Sequence, residues 1–128
     1  MKKTIVFVAG ALFAAGGSAN PTDSLKTVRI AGSYYFRRTY GAALGYFSTT
    51  GSEDAGLYAP GAFTGFANNK PDSNGWTGEL DWVPYENTKF ALQYTAYSKF
   101  NGGDTNYDGA GRNAKDNNTF YLLAWINF

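Results

Sequence analysis

Between residues 26 and 36 the even positions carry Val28, Ile30, Gly32, Tyr34 and Phe36, while the odd positions carry Thr27, Arg29, Ala31, Ser33 and Tyr35. An alternation of period two predicts a strand with one face turned to an apolar environment. After a break at 37–39 the pattern resumes with Tyr40, Ala42, Leu44 and Tyr46 against small Gly41, Ala43 and Gly45, which predicts a tight turn and a second strand. A third run sets Trp76, Gly78, Leu80 and Trp82 against Thr77, Glu79, Asp81 and Val83, and Pro84 is expected to stop it. In the fourth, Phe90, Leu92, Tyr94, Ala96 and Phe100 alternate with Lys89, Ala91, Gln93, Thr95, Tyr97 and Lys99. The fifth ends the chain with Phe120, Leu122, Ala124, Ile126 and Phe128 on one face.

These runs are about 9 to 13 residues long, where a tilted strand needs roughly 9 to 11 to cross a bilayer and a soluble strand averages about 5 to 6. Length therefore favours a membrane sheet over a sandwich. The connections alternate as well: 37–39 and 84–87 are short, whereas 50–74 and 101–117 are long and rich in Gly, Asn and Asp. Short periplasmic turns and long external loops have this rhythm, and the expected fold is all-β, an antiparallel transmembrane β-barrel built as a meander. Five strands fall short of the roughly eight that close a barrel, so the expectation is a partial barrel. Either the chain is a fragment, or it assembles with other copies or a larger barrel, or further strands escape the pattern.

Residues 1–19 look different. Lys2 and Lys3 precede an apolar run to about Gly17 that ends in Gly-Ser-Ala, the layout of a secretory signal peptide with cleavage expected after Ala19. The run is too short for a transmembrane helix. Residues 20–128 are the expected barrel segment. Without Lys2 and Lys3, nine basic residues face ten acidic ones, a balance that does not point to nucleic acid. The chain has no cysteine and no histidine, which excludes disulfides, thiolate or imidazole metal sites, c-type haem attachment and a histidine-based triad; no cofactor and no enzymatic activity are expected.

On the face opposite the apolar stripe lie Arg29, Glu79, Asp81, Lys89, Gln93 and Lys99, which in a barrel point into the lumen. The plainer reading is mutual pairing across neighbouring strands, with Asp81 and Lys89 close across the 84–87 turn. Trp76, Trp82, Tyr34, Phe36, Tyr40, Phe100 and Phe128 sit near strand ends, as an interfacial aromatic girdle requires. Their alternative role is a stacking platform on a soluble domain. Asp104, Asn106 and Asp108, followed by Gly109, match the opening of a calcium loop, yet Lys115 stands where the bidentate glutamate belongs. An ordinary Asx-rich external loop explains the same residues.

The terminal run Asn118-Thr-Phe-Tyr-Leu-Leu-Ala-Trp-Ile-Asn-Phe128 resembles the C-terminal strand by which outer-membrane proteins are read by the barrel assembly machinery. The resemblance implies an assembly signal in Phe120, Leu122, Ala124, Ile126 and Phe128. The stretches beginning Gly75-Trp-Thr-Gly-Glu-Leu-Asp-Trp, Ala91-Leu-Gln-Tyr-Thr-Ala-Tyr and Asn106-Tyr-Asp-Gly-Ala-Gly-Arg-Asn resemble the closing region of large proteobacterial porin-like proteins. Some of those are labelled as cytochromes or found beside cytochrome genes. The resemblance spans about residues 25–128 and corresponds to only the tail of the larger barrels. It implies an outer-membrane location, contact with lipid, and service as a pore or pore component for small solutes. The alternatives are a structural barrel segment that sheathes or docks a partner such as an electron-transfer cytochrome, and a soluble secreted β-sandwich with a binding face.

Overall fold

The computed structural model describes residues 8–13, 20–60 and 65–127. Its strands are β1 (Val8–Phe13), β2 (Asp23–Phe36), β3 (Tyr40–Gly51), β4 (Ser73–Tyr85), β5 (Thr88–Lys99) and β6 (Thr119–Ile126), with one 3-10 turn at Ala114–Asn117. They form a single antiparallel sheet in the order β1-β2-β3-β4-β5-β6, each strand beside its sequence neighbours, and among the described residues no pairing joins β6 to β1. The fold is thus all-β, an antiparallel meander that stays open. The five long strands are those the alternation predicts. The sixth, β1, lies inside the segment read as a leader and pairs with residues 23–29 of β2.

The β2–β3 ladder runs without interruption from Leu25↔Gly51 to Phe36↔Tyr40, so a one-residue slip would exchange the two faces over the whole hairpin. Two details differ from the sequence reading. Pro84 lies within β4, where a register shift between Trp82 and Tyr85 relieves the ladder of the N–H that proline lacks. Phe100 falls beyond β5, bridging to Gly103 at the start of the long connection.

Burial is deepest outside the sheet. Among the described residues, the largest fully buried side chains are Tyr107, 1% exposed, and Asp54, 2%, both in the long connections. These connections fold onto each other: the Ala67 N–H donates to the Tyr107 carbonyl at 2.9 Å, Gly102 N–H to Asp72 O at 2.8 Å, and Asn101 Nδ2 to Gly65 O at 3.2 Å. Gly65 sits at φ +57 with Asp108 and Tyr107 so near that a Cβ would collide with both, so glycine is required there. Asp54 collects the backbone N–H groups of Asn20, Gly56 and Leu57 at 2.7–2.8 Å, tying the start of the long segment to its own loop. The sheet is therefore crowned at one end by an ordered cap and bounded at the other by two short turns.

The first of those turns is strained. Arg37 and Arg38 adopt φ 51 and 59, and Thr39 N–H closes onto Phe36 O at 3.1 Å. Two consecutive left-handed residues make a turn of the I′ kind, which normally selects Asn-Gly. Arg37 gains a contact over the Phe36 ring, 5.1 Å to its centroid. Replacing Arg38 with glycine is expected to stabilise the hairpin by about 1 kcal/mol, because a left-handed L-residue costs about 1–2 kcal/mol, whereas Arg38→Val is expected to destabilise it. Urea midpoints of the refolded variants check the ordering.

Candidate functional site

The register sorts the sheet into two chemically distinct faces. On the even face the rows read Ile30, Tyr46, Trp76, Ala96; then Gly32, Leu44, Gly78, Tyr94, Phe120; then Tyr34, Ala42, Leu80, Leu92, Leu122; then Phe36, Tyr40, Trp82, Phe90, Ala124. No charged residue interrupts these rows. Their large side chains are exposed, Leu80 at 60% and Leu122 at 75%. Aromatic rings concentrate in the end rows, with Tyr46 and Trp76 5.0 Å apart at the capped end and Trp82 stacked on Phe90 at 5.6 Å near the turns. Of the residues proposed for a girdle, Trp76, Trp82, Tyr34, Phe36 and Tyr40 lie on this face. Phe100 does not; it packs edge-on against Tyr97 and Tyr107 beneath the cap. Phe128 lies outside the described residues, while Phe120, Leu122, Ala124 and Ile126 of the terminal pattern share the apolar face.

The odd face carries the candidate site. Tyr35, Gly41, Asp81, Ala91 and Leu123 form one row across five strands. Because Gly41 has no side chain, Tyr35 on β2 reaches over β3 and donates its hydroxyl proton to Asp81 Oδ2 on β4 at 2.6 Å. A Cβ at Gly41 would lie 2.5 Å from the Tyr35 ring and 2.9 Å from Asp81 Oδ2. The Lys89 ammonium on β5 lies 2.9 Å from Asp81 Oδ1 and 3.4 Å from Glu79 Oε1, and Gln93 Nε2 donates to Glu79 Oε2 at 3.0 Å. The side chains of Tyr35, Asp81, Lys89, Glu79 and Gln93 are thereby one connected network, with Asp81 only 6% exposed. Asp81 Oδ2 and both Glu79 carboxylate oxygens accept hydrogen bonds within it, and Asp81 Oδ1 is held by the Lys89 charge alone.

Four of the six residues read as facing a lumen, Glu79, Asp81, Lys89 and Gln93, meet in this network. Arg29 lies on the same face but apart, in the row of Phe47, Gly75 and Tyr97, exposed beside a hollow of about 300 Å³. Lys99 is displaced: a bulge between Tyr97 and Lys99 moves it into the row of Asn74, Ser48 and Val28, off the polar face. Tyr35 and Gly41 were missed by the sequence reading, although the short turn pairing Phe36 with Tyr40 also brings these two opposite each other. Nothing local could place Asp81 in their row, because β3 and β4 are joined through the long connection.

Asp104, Asn106 and Asp108 commit their oxygens to separate partners inside the cap. Asp104 Oδ1 accepts the Thr105 N–H at 2.8 Å, Asn106 Oδ1 the Gly111 N–H at 2.7 Å, and Asp108 Oδ1 the Ala110 N–H at 2.9 Å. Asp108 Oδ2 meets Arg112 Nε at 2.6 Å, while the Arg112 guanidinium lies over the Tyr107 ring. Among the described residues no cluster of three acidic, histidine or cysteine side chains could hold a metal ion. No protein-family model, curated protein or solved structure matches this chain.

Two outcomes follow from these contacts. Gly41→Val is expected to push Tyr35 off Asp81, and Tyr35→Phe to remove the same hydrogen bond without steric conflict. Loss of about 1–3 kcal/mol for the buried charged acceptor is expected in the second case, with a larger loss in the first, read from unfolding midpoints. In the cap, the Arg112 guanidinium and the Ala110 N–H hold the Asp108 carboxyl down to about 2. A depressed carboxylate stabilises the folded state above its ordinary value near 3.8 and loses that contribution as pH falls toward 2. Amide protection in 104–113, taken relative to the unstructured chain at each pH, is therefore expected to fall between about pH 4 and pH 2, and Asp108→Asn to flatten that dependence.

Proposed function

We propose that this chain is an outer-membrane β-barrel protein, porin-like, that contributes part of the wall of a pore for small solutes. The observation that carries the reading is the exposed even face, uncharged over the four rows from Ile30 to Phe36, backed by a polar face on which Glu79, Asp81 and Lys89 pair. From Val28 to Phe36 the apolar stripe of β2 covers about 27 Å along the strand at roughly 3.4 Å per residue, or about 20 Å of depth at a tilt near 40°. Aromatic belts at both ends bring this close to the roughly 25 Å apolar band of a transmembrane barrel. A soluble sandwich would cover such a face with a second sheet, and every strand of the described residues belongs to one sheet. In this reading the leader carries the chain to the periplasm, the barrel assembly machinery recognises the Phe120 to Phe128 alternation, and lipid covers the even face.

The interior would then present mixed signs: Glu79 and Asp81 around Lys89 near the turns, and Arg29 toward the cap. That arrangement suits a hydrated path of weak charge preference. A second reading, a barrel segment that docks a partner, has one observation in its favour. β6 is apolar on both faces, with Tyr121, Leu123 and Trp125 exposed on the side where its neighbours are polar.

The two environments are separated by Leu80→Lys and Thr77→Lys. At 60% exposure Leu80 tolerates lysine in water, but on a lipid-facing strand near mid-depth lysine costs about 2–4 kcal/mol. Urea-washed outer membranes are expected to retain the Thr77→Lys protein and to lose most of the Leu80→Lys protein. Equal recovery of both, or recovery of the unaltered chain as a folded periplasmic monomer, would overturn the membrane reading.

A further inference from the structure

Among the described residues the sheet ends on β1 and β6, each paired on one side only, and the directions of these edges decide what can cover them. β6 runs from the cap toward the short turns, from Thr119 to Ile126, and so does β2, from Asp23 to Phe36; β1 runs the opposite way. With β1 in place the unit has six strands and its two edge strands are antiparallel. Without β1 it has five, and its edge strands β2 and β6 point the same way.

Copies that share one pore are related by rotation about the membrane normal, which leaves strand direction unchanged. A six-stranded unit placed beside a rotated copy of itself therefore meets it antiparallel, β6 against the neighbour's β1. A five-stranded unit meets its copy parallel, β6 against β2, unless one copy is turned upside down. Inversion would put its 50–74 and 101–117 connections on the other side of the bilayer, against uniform export. Bacterial transmembrane barrels are antiparallel with even strand numbers from about 8 upward, and bare edges are not tolerated in hydrocarbon.

We propose that Val8–Phe13 is a parity switch for assembly: while it remains, the β6 edge takes the β1 strand of a second copy, and two copies close twelve strands head to tail. Once it is removed, copies no longer fit one another. This inference rests on the membrane reading. It also gives β6 an occupant suited to a strand whose two faces are both apolar and exposed. The second edge behaves consistently, because β1 occupies the 23–29 half of β2 that an incoming strand would need. Loss of the leader both frees that edge and bars a copy of the same chain from filling it, which reserves it for a block with an odd number of strands.

The absence of cysteine makes the test direct. Full-length chain is refolded into phosphatidylcholine vesicles as two populations, one carrying Ala11→Cys and the other Leu122→Cys, and treated with a flexible bis-maleimide. Ala9→Cys replaces Ala11→Cys if the latter does not insert. Protease protection of the strands reports insertion separately; its absence overturns the membrane reading and this inference with it. In inserted protein the mixed populations are expected to give an adduct of about twice 13.9 kDa, at least tenfold above either population alone. Chain recovered from outer membranes after leader removal, carrying Val28→Cys and Leu122→Cys, is expected to give no adduct between copies. Inserted full-length chain without the Ala11 to Leu122 adduct overturns the proposal, as does a Val28 to Leu122 adduct between processed copies.

Discussion

Backbone pairing along long uninterrupted ladders is the interaction on which everything else in this chain depends. A soluble domain of comparable size holds its strands by burying one face against another layer. Here the even face carries large exposed side chains and the odd face a polar network with further threonine pairs, so neither supplies an ordinary core. The ladders hold only if register is unambiguous, and the strict alternation of apolar with polar or small residues makes it so. The same requirement explains why, in the ladders joining β2 to β6, irregularities are confined to the strand ends: the bulge beyond Tyr97 and the shift around Pro84 lie at the margins of the apolar rows.

Glycines perform different work in the two halves of the molecule. Gly32 and Gly78 stand in open space on the apolar face, where their lack of a side chain meets nothing. Gly41 is the reverse, since the space above it is filled by a tyrosine reaching across a strand to a carboxylate. One missing Cβ thus links β2 to β4 without any contact from β3, and the buried carboxylate in turn orients Lys89 on β5. Three strands, β2, β4 and β5, are coupled through side chains that a pairwise view of neighbouring strands would keep separate.

The cap answers a different problem. Long connections rich in Asn, Asp and Gly carry many backbone groups and few apolar ones, and they order themselves by Asx-type hydrogen bonds around one buried aromatic, Tyr107. Arg112 contributes twice, pairing with Asp108 and lying over the Tyr107 ring. On the proposed membrane reading this cap would stand at the outer mouth. The sheet and the cap are stabilised by unlike means, ladders in one and turn chemistry in the other, so they are expected to respond differently to acid.

Alternation is a local property, and what it encodes was legible: the five long strands, their two faces, the turn at 37–39 and the nearness of Asp81 to Lys89 across a short connection all follow from residues within about a dozen positions of one another. Composition likewise removes histidine and cysteine chemistry, since the chain holds neither residue. Tertiary structure decided what depends on bringing distant segments together. The register of β3 on β4 is set across the long connection, and only that register puts Asp81 beneath Tyr35. A one-residue bulge at Ser98, which no periodicity announces, carries Lys99 off the polar face. The oxygens of Asp104, Asn106 and Asp108, spaced in sequence like ion ligands, turn to separate partners because the folded loop offers each a nearer donor. The pairing of Val8–Phe13 with β2 is likewise a tertiary outcome, since an apolar run reads equally well as a leader or as a strand until a neighbouring edge is there to receive it.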